Sequence, residues 1–341
     1  MHKKLIAVAI GALCAVPAFA QSNVTIYGRV DVGYRTFTND GKATLQDEES
    51  SNRWGLMGEE RLGNGLAAFF QLENRFRLDS GTQNSDRQWK DKSFVGLKSK
   101  SLGAISLGRQ SSVADTLYGG GAFEAFGGDT IASMPNRRAK AVAKWDNSMK
   151  YESPNFGGMF KAVTTIGLAE DSVIRATPWG VGGQLSLGGF KADLAYQKDT
   201  IDTSLSGSQA AMWKTWFVTG SYDFKVAKIL GGYAHSRGYK WNNWGDDSQR
   251  QTVYQVGISV PFGASTIMAN IGQIEDKAND YKSKSSHLGA GYWYNLSKRT
   301  ILMANVSYDK INKDNVGLKY GAAKGARENS FGTELAIRHT F

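Results

Sequence analysis

The chain has 341 residues but contains only one cysteine and five prolines. The single cysteine, Cys14, lies in an N-terminal segment that we expect to be removed, so the mature protein would contain none. This absence excludes a disulfide framework, a thiolate metal site and a cysteine nucleophile. The shortage of proline beside 40 glycines indicates tight turns and closely packed strands rather than proline-rich linkers between domains.

The sequence also lacks any run of 18 apolar residues, and its mean hydropathy is negative. These two properties exclude a helical membrane protein. The formal charge is +10; loss of Lys3 and Lys4 with the leader leaves 39 basic against 31 acidic residues, a charge of +8. No basic run of five or more occurs, which argues against a nucleic-acid partner. Single basic residues scattered along strands fit a cavity lined with positive charge.

The N-terminal segment carries a targeting signal. Residues 1–20 combine a basic start, an apolar stretch from Leu5 to Val16 and the small residues Ala18 and Ala20 before Gln21. This pattern predicts a secretory signal peptide, because the apolar stretch is too short to span a bilayer as a helix.

The last eleven residues alternate between apolar and polar side chains. Phe331, Leu335 and Ile337 fall on one face, whereas Glu334 and Arg338 fall on the other. A period of two is typical of a strand whose two faces meet different environments. Because a strand edge cannot face lipid, we expect this strand, which ends at Phe341, to close a barrel by pairing with the first strand.

Similar strands recur along the chain, separated by alternating short and long connections. The turn Gly63-Asn64-Gly65 is a hairpin signal, and about sixteen candidate strands follow one another in the 321 mature residues. The sequence therefore predicts an all-β fold: a transmembrane antiparallel β-barrel of 16 strands over residues 21–341. Three candidate strands alternate poorly, at residues 105–109, 226–237 and 266–275, and a bulge at Gly108 would turn Arg109 inward.

One connection, residues 111–144, is much longer than the others and is rich in glycine and charge. A loop of this length in a compact fold is usually functional, and inside a sixteen-stranded barrel it would narrow a watery lumen. Basic residues of the wall facing acidic residues of the loop would create a field that favours anions. The candidate residues of this constriction are Arg53, Arg75, Arg109, Arg137, Arg138, Lys150, Glu124 and Asp129.

Several segments spread over the mature chain resemble the general diffusion porins of Gram-negative bacteria, in particular the β-proteobacterial family. They are VTIYG at residues 24–28, RWGL at 53–56, FVGL at 94–97, LGRQ at 107–110, NSMKYESPNFGG at 147–158 and the terminal Phe341. The resemblance implies that the third external loop folds into the lumen. Residues 123–129 resemble the Pro-Glu-Phe-Gly-Gly turn of that loop, although the proline is absent and an alanine is inserted.

The resemblance also implies a homotrimer in the outer membrane, surrounded by lipid and lipopolysaccharide, that passes small hydrophilic solutes and anions. A terminal aromatic residue is read by the assembly machinery in that family, so deletion of Phe341 should impair assembly.

Rival functions remain open at this point. A substrate-specific channel for phosphate or small carboxylates would use the same basic lumen but would be blocked by one solute at low concentration. An outer-membrane hydrolase would need a histidine beside a nucleophile, but His235, His287 and His339 fall in no such motif. The sequence thus predicts no enzyme activity, no cofactor and no metal site. A soluble all-β adhesin would be extractable without detergent.

Overall fold

The computed structural model describes residues 23–38, 43–47, 52–119, 123–135, 138–168, 177–201, 211–240, 249–278, 281–311 and 329–341. The predicted signal peptide, residues 1–20, and the candidate residue Arg137 lie outside the described residues. Within these ranges no helix is long and apolar enough to cross a membrane.

In the part of the chain that the structure describes, seventeen strands form one antiparallel sheet. They are β1 (Asn23–Phe37), β2 (Ala43–Asp47), β3 (Arg53–Gly63), β4 (Leu66–Arg75), β5 (Lys92–Ser99), β6 (Gly103–Ser111), β7 (Lys144–Glu152), β8 (Phe160–Gly167), β9 (Trp179–Leu187), β10 (Phe190–Ile201), β11 (Ala211–Asp223), β12 (Lys228–Lys240), β13 (Gln249–Phe262), β14 (Ser265–Ala278), β15 (Tyr281–Asn295), β16 (Thr300–Ile311) and β17 (Ser330–Thr340).

The sheet closes on itself, because β1 pairs with β17 on one side and with β3 on the other. The short strand β2 pairs with residues 32–36 of β1, whereas β3 pairs with the preceding part of the same strand, residues 23–29. The strands β2 and β3 therefore share one position, and the seventeen strands occupy sixteen positions around a barrel. The predicted fold class is confirmed.

Alternation along β1 explains why this sequence forms a barrel strand. Val24 and Ile26 point outward and are 61% and 66% exposed, whereas Asp31 and Arg35 point inward and are buried. Outward apolar side chains suit contact with lipid, and inward polar groups find partners in the lumen. One such pair links strands across the closure, where Arg35 lies 2.6 Å from Glu334 of β17.

The connections differ at the two ends of the barrel. The predicted hairpin between β3 and β4 has positive φ at Asn64 (50°) and Gly65 (76°), the combination that a two-residue type I′ turn requires. Short connections of this kind lie at one end, and the long connections, including residues 76–91 and 112–143, lie at the other.

The terminal residue completes the closure. The backbone N–H of Phe341 donates to Gly28 O (3.1 Å), and the N–H of Gly28 donates to Phe341 O (3.0 Å). The Phe341 ring covers Gly28 so closely that a Cβ on that glycine would lie 2.3 Å from a ring carbon. A larger residue at position 28 would therefore displace the terminal ring.

The three poorly alternating segments lie in β6, β12 and β14. In β12 and β14 the inward positions Leu230, Ala234, Met268 and Ile274 are apolar and buried, so apolar residues occur on both faces of these strands. In β6 the register with β7 shifts between Gly108 and Gln110, as a bulge does.

Candidate functional site

The long connection between β6 and β7 lies inside the barrel; residues 112–143 are named here the inserted segment. It begins with one helical turn, in which Thr116 N donates to Ser112 O (2.9 Å), followed by a π-helical turn at Asp115–Gly119. At the base of the segment Ser112 N donates to Ala143 O (2.8 Å). The segment therefore leaves and rejoins the wall at neighbouring points.

Apolar packing holds the inserted segment against one side of the wall. The Tyr118 ring lies 5.7 Å from the Phe217 ring, and it faces Gly232, where a Cβ would lie 2.7 Å from the ring. This side of the wall, formed by β8–β15, is named the covered half. The buried cluster joins Val113, Ala114, Leu117, Tyr118, Phe123, Met134 and Ala141 of the segment to Val163, Ala195, Phe217, Ala234, Val253 and Ile274 of the wall.

Glu124 folds the middle of the inserted segment. Its Oε2 accepts hydrogen bonds from Phe126 N (3.2 Å) and Gly128 N (2.7 Å), and its Oε1 accepts one from Asn270 Nδ2 (2.6 Å). Gly127 and Gly128 have φ of 70° and 85°, a backbone region that glycine adopts readily. Glu124 thus closes a turn and ties it to β14, so its charge is buried among donors.

His287 of β15 provides a second tie. Its Nε2 lies 3.0 Å from Ala132 O of the segment, and its Nδ1 lies 2.8 Å from Asp309 Oδ1. Both ring nitrogens face oxygen acceptors, an arrangement that a doubly protonated imidazole satisfies. At Gly289, two residues along the same face, a Cβ would lie 2.1 Å from Ala132 O. The wall therefore has a specific position for this carbonyl, beside His287 and Gly289, and this position is named the seat of the segment.

The return of the segment is fixed by Asp199 of β10. Its carboxylate accepts hydrogen bonds from Trp145 Nε1 (2.9 Å), Val142 N (3.2 Å) and Gln197 Nε2 (2.7 Å). Asp199 is fully buried, and these three donors compensate the loss of water around it.

The wall opposite the covered half carries charge; the inner faces of β1, β3–β7 and β17 are named the open half. Here Arg29 forms an ion pair with Asp129 of the segment. Arg338 Nε donates to Asp31 Oδ2 (2.5 Å), and its guanidinium also reaches Asp129 O (3.3 Å). The acidic tip of the segment therefore meets two arginines of the open half.

Arg53 and Arg75 lie farther along the open half. Arg75 is 3.0 Å from Asp91 and 3.5 Å from Glu73, whereas Arg53 is 3.9 Å from Glu73. Lys92 also approaches Glu73, at 3.7 Å. Glu73 is buried among these three cations, so the group as a whole keeps a positive excess.

A third basic group surrounds the start of the segment. Asp115 contacts Lys144 and lies 3.2 Å from Arg138, and Lys150 Nζ donates to Thr116 Oγ1 (3.0 Å). Burial alone would raise the pKa of Asp115, but the charges of Lys144 and Arg138 outweigh it and hold this pKa below its ordinary value. Asp115 is therefore ionised at neutral pH and fixes both cations.

These groups border a cavity of about 980 Å³ between the segment and the wall, chiefly the open half. Among the described residues that line it, ten are Arg or Lys and five are Asp or Glu, so this lining has a positive excess. No group of three or more His, Cys, Asp or Glu that could hold a metal ion occurs among the described residues.

Six of the predicted constriction residues line this cavity: Arg53, Arg75, Arg138, Lys150, Glu124 and Asp129. Arg109 is not among the lining residues; its guanidinium donates to Lys90 O (2.6 Å) and to Asp146 Oδ1 (2.7 Å). Asp146 also binds Arg87 (2.6 Å). The bulge therefore directs Arg109 to the neighbouring long connection, residues 76–91, instead of the cavity.

Sequence reasoning missed some lining residues. Lys92 shares the inward parity of β5 with Phe94, since Val95, the residue after Phe94, faces outward and is 58% exposed, and this parity could have identified Lys92. Asp91 and Lys90 lie in an irregular connection, where no periodicity indicates direction.

Comparisons with known proteins agree with this architecture. Residues 6–315 match a family model described as Gram-negative porin. The chain is 33% identical to outer membrane porin protein 32 of Delftia acidovorans and 29% identical to an outer membrane porin of Bordetella pertussis, in each case over the whole length of both chains.

Two solved structures are similar to the fold. An anion-selective porin from Comamonas acidovorans superposes with a TM-score of 0.81 at 26% identity, covering 94% of this chain and all of the other. OmpT of Vibrio cholerae, in a trimer form, superposes with a TM-score of 0.71 at 18% identity, covering 94% of this chain and 99% of the other.

Proposed function

The chain belongs to the Gram-negative porin family, and from that premise we propose that it is a passive pore that prefers anions and has residues 111–144 as its constriction loop. Membership places it in the outer membrane as a β-barrel channel. The preference for anions is supported by one observation above all: among the described residues that line the cavity, Arg and Lys outnumber Asp and Glu ten to five.

The electrostatics of confinement explain this preference. A narrow aqueous path with low-dielectric walls focuses the field of its lining charges, so an excess of fixed cations raises the local concentration of anions. The fixed carboxylates Glu73, Asp115 and Asp129 each lie against at least one cation, which limits their attraction for mobile cations. The solved relative that carries the words anion-selective supports the same proposal.

The direct test is the reversal potential of the purified channel in a planar bilayer under a KCl gradient. We expect its sign to indicate chloride preference, and replacement of Arg53 and Arg75 together by Ala should reduce that preference. Arg109→Ala is the matched control, because it removes an arginine of the same barrel that does not line the cavity. A cation-preferring wild-type channel, or equal effects of both variants, would overturn the proposal.

The same bilayers distinguish the substrate-specific alternative. A passive pore should conduct chloride with little change when millimolar phosphate or a small carboxylate is added, whereas a specific channel would show saturable block by one of them.

We further propose that residues 1–20 are a cleaved signal peptide and that the mature protein forms a homotrimer. The outward faces of the described strands carry exposed apolar side chains such as Leu97 and Leu335, which suit lipid or a neighbouring protomer, and one structural relative is a trimer. Mass measurement of the detergent-solubilised protein tests both statements, since it reports the mature N-terminus and the number of chains.

A further inference from the structure

Two phenylalanines on the inner wall are not explained by the barrel or by the inserted segment. Phe69 of β4 and Phe94 of β5 have inward parity, because Ala67 and Glu73 on the first strand are buried and Val95 on the second points outward. Neither ring belongs to the buried clusters that hold the segment. Lumen positions of such barrels are normally polar, so half-buried rings there need a reason.

The two rings form one unit. Their centroids lie 6.0 Å apart at an interplanar angle of 74°, an edge-to-face arrangement. A Cβ on Gly96 would lie 2.7 Å from the Phe69 ring, so this ring rests on the backbone of β5. Phe94 lines the cavity itself. The pair therefore forms a continuous aromatic surface that leads from the cavity along β4 and β5.

Cationic groups border this surface. Lys98 Nζ lies 5.6 Å from the centroid of the Phe69 ring and 2.6 Å from Glu59. Lys92 shares the inward row with Phe94, and Arg53 and Arg75 line the same cavity. A second aromatic face, Trp293, also lines the cavity, and the Arg338 guanidinium carbon lies 5.2 Å from its ring centroid. Aromatic rings beside cations therefore occur at two places around the same cavity.

We propose that this part of the lumen is a binding site for aromatic carboxylates, with the rings of Phe69 and Phe94 contacting the ligand ring and the bordering cations contacting its carboxylate. The inference rests on the proposed anion preference and adds a substrate class to it. An edge or face contact with a Phe ring favours an aromatic ligand over a saturated one of the same size, and the cations favour an anion over a neutral ring.

The experiment measures the half-blocking concentration of three probes on the chloride current of the channel in planar bilayers. The probes are benzoate, cyclohexanecarboxylate, which has the same charge and a saturated ring, and benzyl alcohol, which has the ring without the charge. We expect benzoate to block at a concentration about threefold lower than cyclohexanecarboxylate and benzyl alcohol to block least. Equal block by the two carboxylates would overturn the inference, and strongest block by benzyl alcohol would replace it with a site for neutral rings.

Variants locate the site. Phe94→Leu and the double replacement Phe69→Leu with Phe94→Leu keep apolar volume but remove the aromatic faces, so the difference between benzoate and cyclohexanecarboxylate should disappear. Trp216→Leu is the matched control, since Trp216 is an outward aromatic residue that is 52% exposed. Should the double variant fail to fold, Phe94→Leu alone decides the question. An unchanged benzoate difference in Phe94→Leu would contradict the proposal.

The reversal potential in KCl, recorded in the same membranes, separates this inference from the proposed function. A chloride-preferring channel that treats both carboxylates alike contradicts only the aromatic site. A channel that prefers potassium contradicts the proposed function itself.

Discussion

The covered and open halves of the barrel wall are built from the same alternating strands but present different inner surfaces. In the covered half several inward positions are small or apolar, as at Ala195, Ala234 and Val253, and all three are buried by the inserted segment. In the open half the inward positions carry ion pairs such as Arg35–Glu334 and Arg75–Asp91. The contrast shows that inward parity alone does not decide polarity. What each inward side chain packs against in the lumen also matters.

The largest effect on the difference between the two halves is expected when a larger side chain occupies the seat of the segment on the covered half. Gly289→Leu places a side chain where Ala132 O now lies, so we expect the segment to be displaced and the barrel destabilised by about 3 kcal/mol. Urea unfolding in detergent measures the loss of stability, and a larger single-channel conductance reports the displacement.

Gly220→Ala is the control for that experiment. A Cβ at Gly220, also on a strand of the covered half, would have only one neighbour, at 3.9 Å, so we expect stability and conductance close to those of the native protein. Equal behaviour of the two variants would show that the segment is not seated on Gly289.

A polar tie can be removed without adding volume. His287→Ala leaves Ala132 O and Asp309 without the donors that now face them, and an unsatisfied buried acceptor costs about 2 kcal/mol. We expect lower stability and noisier channel currents, because the segment loses a tie to β15. His235→Ala, which removes a histidine paired with Thr252 on the other face of the wall, should leave current noise unchanged. Similar noise in both variants would contradict the role of His287.

Most of the barrel could be predicted from the sequence, because each strand is indicated by the local alternation of apolar and polar residues. The hairpin at Asn64 and the closure at Phe341 needed only a few neighbouring residues. The seat of the segment could not be predicted in this way. Gly289 and Ala132 are far apart in the chain, and nothing in either local pattern indicates that a carbonyl will lie against that glycine.

The constriction illustrates the same limit. Inward parity predicted that Arg53, Arg75 and Lys150 face the lumen, and all three line the cavity, since each lies on a regular strand. Arg109 follows a bulge, where parity is lost, and its partner Asp146 lies on the next strand, β7. The charges of the segment, such as Asp115, lie in irregular backbone, and only the folded chain shows that Lys144 faces it.

A smaller effect is expected from a change of charge where the segment contacts the open half. Asp129→Asn removes the negative charge that faces Arg29 while keeping the size of the side chain. One charge fewer at this distance changes the local interaction with a passing anion by on the order of 1 kcal/mol, about fivefold in the permeability ratio. The reversal potential should therefore shift toward stronger chloride preference. A shift toward potassium would show that Asp129 does not face the ion path.

The smallest expected effect concerns Lys140, at the end of the segment nearest the covered half. Burial lowers the pKa of this ammonium group to about 8, although the charge of Asp276 partly opposes the shift. Because the pKa in the folded state lies below that in the unfolded state, the protonated lysine destabilises the fold. The loss of stability is complete below about pH 8 and disappears as the pH rises toward the ordinary lysine pKa of 10.5.

Since the Lys140 side chain is only partly buried, we expect stability to rise by a fraction of a kcal/mol between pH 7 and 9. Lys140→Met should abolish that part of the rise in urea unfolding at the two pH values, and Lys225→Met, in a short connection at the opposite end, should retain it. A rise of equal size in Lys140→Met would assign the pH dependence to another group.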